Sequence, residues 1–184
     1  MKSTSAPIRI TQATPEDVLG MQEVFYKTWL ATYPNVEYGI TVEDIRERWK
    51  NRLDDEYLAK RREQMANPPI GELTLAARDG NLVVGVCRVI NLPNKNQLQA
   101  LYVLPEYQGR GVGTTLWEEG RKFLDATRDI EVWVATYNTK AIAFYQHLGF
   151  RETGETDLDE HFKMPISGNV IPEIGMVLKA EPAS

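Results

Sequence analysis

The chain has 184 residues, 42% hydrophobic and 26% charged, the composition of one soluble globular domain with a full core and too short for two ordinary domains. Its 21 Lys+Arg against 26 Asp+Glu leave a net charge of −5, which argues against a nucleic-acid or anionic-membrane surface and suits a cationic substrate. A single cysteine, Cys87, excludes an intrachain disulfide and any cysteine-rich metal cluster.

Met1–Ile10 has no apolar signal core, and no apolar run of about 18 residues occurs, so the expected location is the cytoplasm, away from membranes. Ile8–Gln12 predicts a short strand. Thr14-Pro15-Glu16-Asp17 then reads as a helix start, with Thr as cap, Pro at the first position and acid in the first turn. Val18, Met21, Phe25, Thr28 and Trp29 recur at helical spacing as far as about Leu30, and Pro34 and Asn35 end the helix. Thr41-Val42-Glu43-Asp44 opens a second, charged helical stretch through about Met65, broken near Asp54–Asp55 and closed by Asn67-Pro68-Pro69.

Strand patterns follow. Leu73–Arg78 and Leu82–Ile90 flank Asp79-Gly80-Asn81, a hairpin turn, and Leu98–Leu104 is a third run ending at Pro105. Cys87 lies inside the apolar run Val83–Ile90 and reads as a buried thiol, not a nucleophile. A helix over Gly113–Thr127, a strand over Ile130–Thr136 and a helix over Asn138–Leu148 capped by Gly149 come next. Arg151–Thr156 and Val170–Lys179 close the chain as strands. The order is mixed α/β in one unit, with six to seven strands and divisions at 6–70, 71–156 and 157–184.

The densest chemical signal is Gln108-Gly109-Arg110-Gly111-Val112-Gly113, after a strand and opening a helix. Glycines allow close backbone approach, and successive amides at a helix N-terminus suit a pyrophosphate. A nucleotide P-loop needs Gly-Lys-Ser/Thr, where this chain has Gly113-Thr114-Thr115. A dinucleotide fold needs G-x-G-x-x-G and an acid ending the next strand, which here ends in Ala135-Thr136.

Leu101-Tyr102-Val103-Leu104-Pro105 and the glycine segment resemble the acetyl-CoA motif of the GNAT acyltransferases. A second segment, Asn138-Thr139-Lys140-Ala141-Ile142-Ala143-Phe144-Tyr145-Gln146-His147-Leu148-Gly149-Phe150, resembles that family's N-x-x-A-x-x-F-Y-x-x-x-G-F signature. The resemblance implies a sheet splayed around acetyl-CoA. Leu101, Tyr102 and Val103 would pair their backbone with the pantetheine arm. Gln108, Gly109, Arg110, Gly111, Val112, Gly113 and Thr114 would hold the pyrophosphate. Asn138 would contact the arm, and the Tyr145 hydroxyl would protonate the departing thiolate. Asn138 and Tyr145, seven apart, share a helix face over about two turns, whereas His147 points away to the surface.

The resemblance further implies direct attack by a primary amine in a ternary complex. Neutralising an alkylammonium of pKa ~10.4 at pH 7 costs about 4–5 kcal/mol, so a proton acceptor is required. The family's usual carboxylate positions hold Gln97 or Gln99 and Trp133 here. The base is therefore unassigned among relayed water, Glu37, Glu72 and the loop residue His161.

The first half would build the acceptor side. Trp29-Leu30-Ala31-Thr32-Tyr33 resembles the W-x-x-x-Y segment of bacterial polyamine and small-amine acetyltransferases, so Trp29 and Tyr33 are candidate substrate residues, Trp29 equally a core residue. The acceptor expected is a small, polyamine-like amine. A protein N-terminal or lysine acetyltransferase and a non-catalytic acyl-CoA sensor are the alternatives. Oligomeric state, with a homodimer as one candidate, is not set by the sequence.

Overall fold

Among the described residues, seven strands form one sheet: β1 (Arg9–Gln12), β2 (Glu72–Asp79), β3 (Leu82–Leu92), β4 (Lys95–Val103), β5 (Ile130–Ala135), β6 (Arg151–Leu158) and β7 (Pro172–Leu178). Their spatial order is β1-β2-β3-β4-β5-β7-β6, so β7 inserts between two strands that precede it in the chain. The helices are α1 (Val18–Thr32), α2 (Val42–Arg48), α3 (Asp55–Ala66), α4 (Val112–Arg121) and α5 (Thr139–His147). The computed structural model describes residues 7–158 and 163–180.

Close helix approach needs small residues on both sides of the sheet. A Cβ on Gly20 of α1 would meet Val83 at 2.8 Å, and one on Gly120 of α4 would meet Cys87 at 3.0 Å. The bulge in β3 opposite Ala77 and Arg78 turns Val83 and Gly85 to opposite faces, so α1 covers one face and α4 the other. Cys87 is fully buried under α4, and burial pushes its thiol up to about 12. A thiol in that state is no nucleophile at neutral pH.

Both sequence capping signals form. Asp17 accepts from the Thr14 amide at 2.7 Å and also pairs with Arg78 of β2, closing a buried ion pair over the start of α1. Asp44 accepts from the Thr41 amide (2.9 Å) and hydroxyl (2.7 Å) through one oxygen. Its other oxygen accepts from the amides of Ile166 (3.1 Å) and Ser167 (2.8 Å), so α2 anchors the loop that leads into β7. α4 stops at Arg121, short of the expected Thr127. There Asp125 accepts from the Thr127 amide (2.9 Å) and hydroxyl (2.6 Å), a local turn that outcompetes helical continuation.

Burial disfavours charge on Asp44, yet the hydrogen bonds from Ser167 and Thr41 outweigh it and hold the carboxyl at about 2. Its folded pKa is depressed, so its stabilisation is complete above the ordinary carboxylate range and is lost as pH falls toward 2. Asp44→Ala removes a helix cap and strands two loop amides. We expect a loss of roughly 2–4 kcal/mol at pH 7, read by urea unfolding, and a smaller deficit at the acid end.

Candidate functional site

β4 and β5 run parallel but share only the register pair Gln97↔Glu131, and beyond it they part. On its other edge β4 remains zipped to β3, with Cys87 opposite Leu101 and Gly85 opposite Val103. Backbone groups of β4 that face the gap therefore lack a strand partner, the situation that accepts an extended ligand as an added strand. A cleft of about 930 Å³ fills the gap. Leu101, Tyr102 and Val103 line one side and Val132, Trp133 and Val134 the other.

At one end of the cleft stands the glycine turn. Gly109 and Gly111 adopt φ of 72° and 82°, the left-handed region that other residues enter at a cost. Gly111 is the N-cap of α4, and the first helical bond runs from the Thr115 amide to its carbonyl at 3.0 Å. The amides of Val112, Gly113 and Thr114 consequently lack helical acceptors and are offered at the positive end of the helix. Gly109, Gly111, Gly113 and Thr114 all border the cleft. Gln108 does too, its side-chain amide donating to the Val103 carbonyl at 2.9 Å and tying turn to strand. Val112 turns its side chain into the core, and the exposed Arg110 side chain lies over the Tyr107 ring at 5.2 Å, outside the cleft lining. Lys140, not selected from the sequence as a ligand, also borders the cleft and adds a cation near α5.

Asn138 lies just outside α5 as its cap, not inside the helix: its side-chain oxygen accepts from the Ala141 amide at 3.2 Å. Asn138, Ala141 and Tyr145 line the cleft together, as the helix-face argument requires. Phe144 and Phe150 brace the Tyr145 ring at centroid distances of 5.5 and 5.7 Å. Burial, with Tyr102 and Cys87 nearby, raises the pKa of the Tyr145 hydroxyl well above that of a free phenol, so it stays protonated.

The far end of the cleft is a chamber of phenols. Tyr33 and Tyr102 hydroxyls lie 3.3 Å apart, and the Tyr137 hydroxyl donates to the Tyr33 carbonyl at 2.9 Å. Burial raises the pKa of Tyr33 and Tyr102, and that of Tyr137 to about 12. Trp29 does not line the cleft. It is 9% exposed and packs behind Tyr33 (4.5 Å) and against Trp49 (5.6 Å). The aromatic wall is thus Tyr33, Tyr102 and Tyr137, with Trp29 as its backing; Tyr137 is preceded by a strand end and gave no periodic signal in the sequence.

No Asp, Glu or His among the described residues lines the cleft. Gln97 is buried, while Gln99 and Trp133 border the cleft without a titratable group. Glu37 sits exposed in the loop after α1, and Glu72 is engaged with Arg88 across β2 and β3. His161 lies outside the described residues, and His147 is exposed on the surface. Among the described residues, no helix is long and apolar enough to cross a membrane.

The family model described as "Acetyltransferase (GNAT) family" matches residues 27–150. Among curated proteins, an uncharacterised N-acetyltransferase of Methanocaldococcus jannaschii is 36% identical over 58 residues, 30% of this chain but only 26% of that protein. A spermidine N(1)-acetyltransferase of Thermoplasma acidophilum is 28% identical over 148 residues, 78% of this chain and 88% of that one. The fold is also that of the crystal structure of the PaiA N-acetyltransferase from Thermoplasma acidophilum in complex with coenzyme A. There the TM-score is 0.66 at 23% identity, covering 95% of this chain and 99% of the other.

Proposed function

Because the chain belongs to the acetyltransferase (GNAT) family and takes acetyl-coenzyme A as acyl donor, we propose that it acetylates a primary amine of a small, polyamine-like molecule. The observation that carries this reading is the two-ended cleft. One end offers orphan amides to an anion, the other presents phenol rings and hydroxyls, and Lys140 and Tyr145 of α5 also border the cleft. Phenol faces attract an alkylammonium by roughly 0.5–2 kcal/mol each, more when desolvated. A recess lined by three tyrosines favours a slender aliphatic amine over a folded protein surface. The activity named for the Thermoplasma relative supports the same acceptor class.

In this reading the diphosphate rests on the amides of Gly109 to Thr114 and the pantetheine arm runs along the unpaired edge of β4. The thioester then reaches Tyr145, and the amine attacks its carbonyl from the phenol chamber. A buried thiol at about 12 gives Cys87 no part as acyl carrier, which fits direct transfer in a ternary complex. Departing thiolate meets the neutral Tyr145 hydroxyl, which stabilises it by a charge-assisted hydrogen bond.

Thiol release from acetyl-CoA, measured against polyamines, amino acids, aminoglycosides and short peptides, tests this reading. Turnover confined to polyamines is the expected result. Turnover confined to peptides would replace the small-amine reading with a protein acceptor, and silence with tight acetyl-CoA binding would replace it with a sensor.

A further inference from the structure

We propose that Glu173 of β7 is the carboxylate that receives the acceptor's ammonium group and takes its proton, an assignment that rests on the amine-acetylation reading. The cleft lining holds no carboxylate or imidazole among the described residues, and its buried phenols are held in their neutral form. Among the described residues, a proton acceptor would therefore reach in from the next ring around the cleft. β7 supplies one. Glu173 pairs in register with Ala135 of β5, and residues paired across two antiparallel strands point to the same face. Ala135 belongs to the apolar cluster of Trp29 and Ile45 against which Tyr33, Tyr102 and Tyr137 pack, so Glu173 is on the α1/α2 face, where the phenol chamber lies. Its neighbour Ile174 pairs with Val134 and faces the opposite core.

The position is fixed from several sides. The Thr136 amide donates to the Pro172 carbonyl at 2.9 Å, binding the start of β7 to the lip of the chamber. Asp44 holds Ile166 and Ser167, and the Asn169 side chain donates to the Gly39 carbonyl at 2.8 Å, so the approach to β7 is tied to the α1–α2 region. Glu173 is half-buried, and its charge raises the pKa of the Tyr33, Tyr102 and Tyr137 hydroxyls alike. Those three groups stand on different elements, which places the carboxylate within electrostatic reach of the whole chamber. Among the described residues, the charged and titratable groups near it include Arg48 of α2, whose charge acts on Tyr102, and Asp157 of β6, opposite Glu173 in register.

The proton balance is simple. The carboxylate removes one proton from R–NH3⁺, leaving R–NH2 with a free electron pair. That pair forms the C–N bond as the C–S bond breaks. The second nitrogen proton neutralises the thiolate, and the proton on Glu173 is released to solvent. Proton transfer to Glu173 runs directly or across the Tyr33–Tyr102 hydroxyl pair, whose oxygens lie 3.3 Å apart.

The test compares wild type with Glu173→Gln and Glu173→Asp in thiol release from acetyl-CoA with spermidine as probe. Glu173→Gln is expected to lower kcat/KM by roughly 10²–10³-fold at pH 7. Its residual rate should climb about tenfold per pH unit toward the amine's pKa of ~10.4, because it must await amine that is already neutral. Glu173→Asp should keep the wild-type profile at reduced rate, and acetyl-CoA affinity by calorimetry should stay within about threefold for both. A rate within about threefold of wild type, or a loss of rate with an unchanged pH profile, would overturn the assignment. Should wild type acetylate no spermidine, the amine reading fails for that acceptor, and spermidine is titrated onto the CoA-bound protein instead. About tenfold weaker binding to Glu173→Gln then supports Glu173 as the ammonium's partner, whereas equal or absent binding by both proteins overturns it.

Discussion

Tyr145→Phe is expected to lower turnover by about ten- to a thousandfold while acetyl-CoA affinity stays within a few-fold. The substitution isolates one atom. The ring keeps its packing on Phe144 and Phe150, so the helix and the core beneath it are undisturbed. Unlike the Tyr33 and Tyr102 hydroxyls, the Tyr145 hydroxyl makes no hydrogen bond to another described residue, so its removal strands no partner. The loss falls on the step in which sulfur acquires charge. A phenol above its ordinary pKa is a weaker acid than a thiol of pKa ~8.5, so full proton transfer to thiolate is uphill. In the proposed mechanism Tyr145 therefore acts chiefly by donating a hydrogen bond to the developing thiolate, while the attacking nitrogen supplies the net proton. Two measurements check this: kcat against acetyl-CoA at saturating amine, and the pH profile. Raised rather than lowered, the hydroxyl pKa introduces no falling limb below about pH 10. Unchanged turnover in Tyr145→Phe would remove the residue from the mechanism.

The glycine turn and the capped helix at one end of the cleft were legible because they are local. A turn of Gly109 and Gly111 opening a helix, and Asn138 capping a helix that carries Tyr145 two turns on, are each contained within one stretch of chain. Spacing alone places such groups. The phenol end is assembled across the chain, from Tyr33 capping α1, Tyr102 of β4 and Tyr137 after β5. Trp29 and Tyr33 illustrate the limit: one turn apart on the same helix, they divide between core and cleft according to what α2 lays over them. Glu173 was invisible for a stronger reason. Its strand reads as an ordinary apolar closing strand, and only the insertion of β7 between β5 and β6 brings its carboxylate beside Ala135. No periodicity within Pro172–Leu178 encodes that neighbour. Under the assignment proposed for Glu173, the base absent from the sequence reading was a missing register, not a missing residue.

Gly111→Val is expected to abolish acetyl-CoA binding, weakening it by about a hundredfold or more, which is ~2.7 kcal/mol. Two effects add. At φ 82° a β-branched side chain is forced into the left-handed region, at a cost of roughly 1–2 kcal/mol or an unwinding of the first turn of α4. Either response scatters the amides of Val112, Gly113 and Thr114, on which the proposed diphosphate site depends. A Cβ at Gly111 meets no protein atom within 4 Å, so the fold has room for the side chain. Gly111 borders the cleft, so the added methyls occupy the approach to those amides. The protein should fold, with a modest fall in Tm, and fail to bind. Gly113 provides the internal comparison. It lies inside the helix, and a Cβ there meets Phe144 at 3.5 Å, an ordinary contact, so Gly113→Ala should be tolerated far better. Calorimetry with acetyl-CoA on both variants decides the matter: normal affinity in Gly111→Val would mean that the diphosphate is held elsewhere, and equal losses in both would point to helix disruption instead of a built anion cradle.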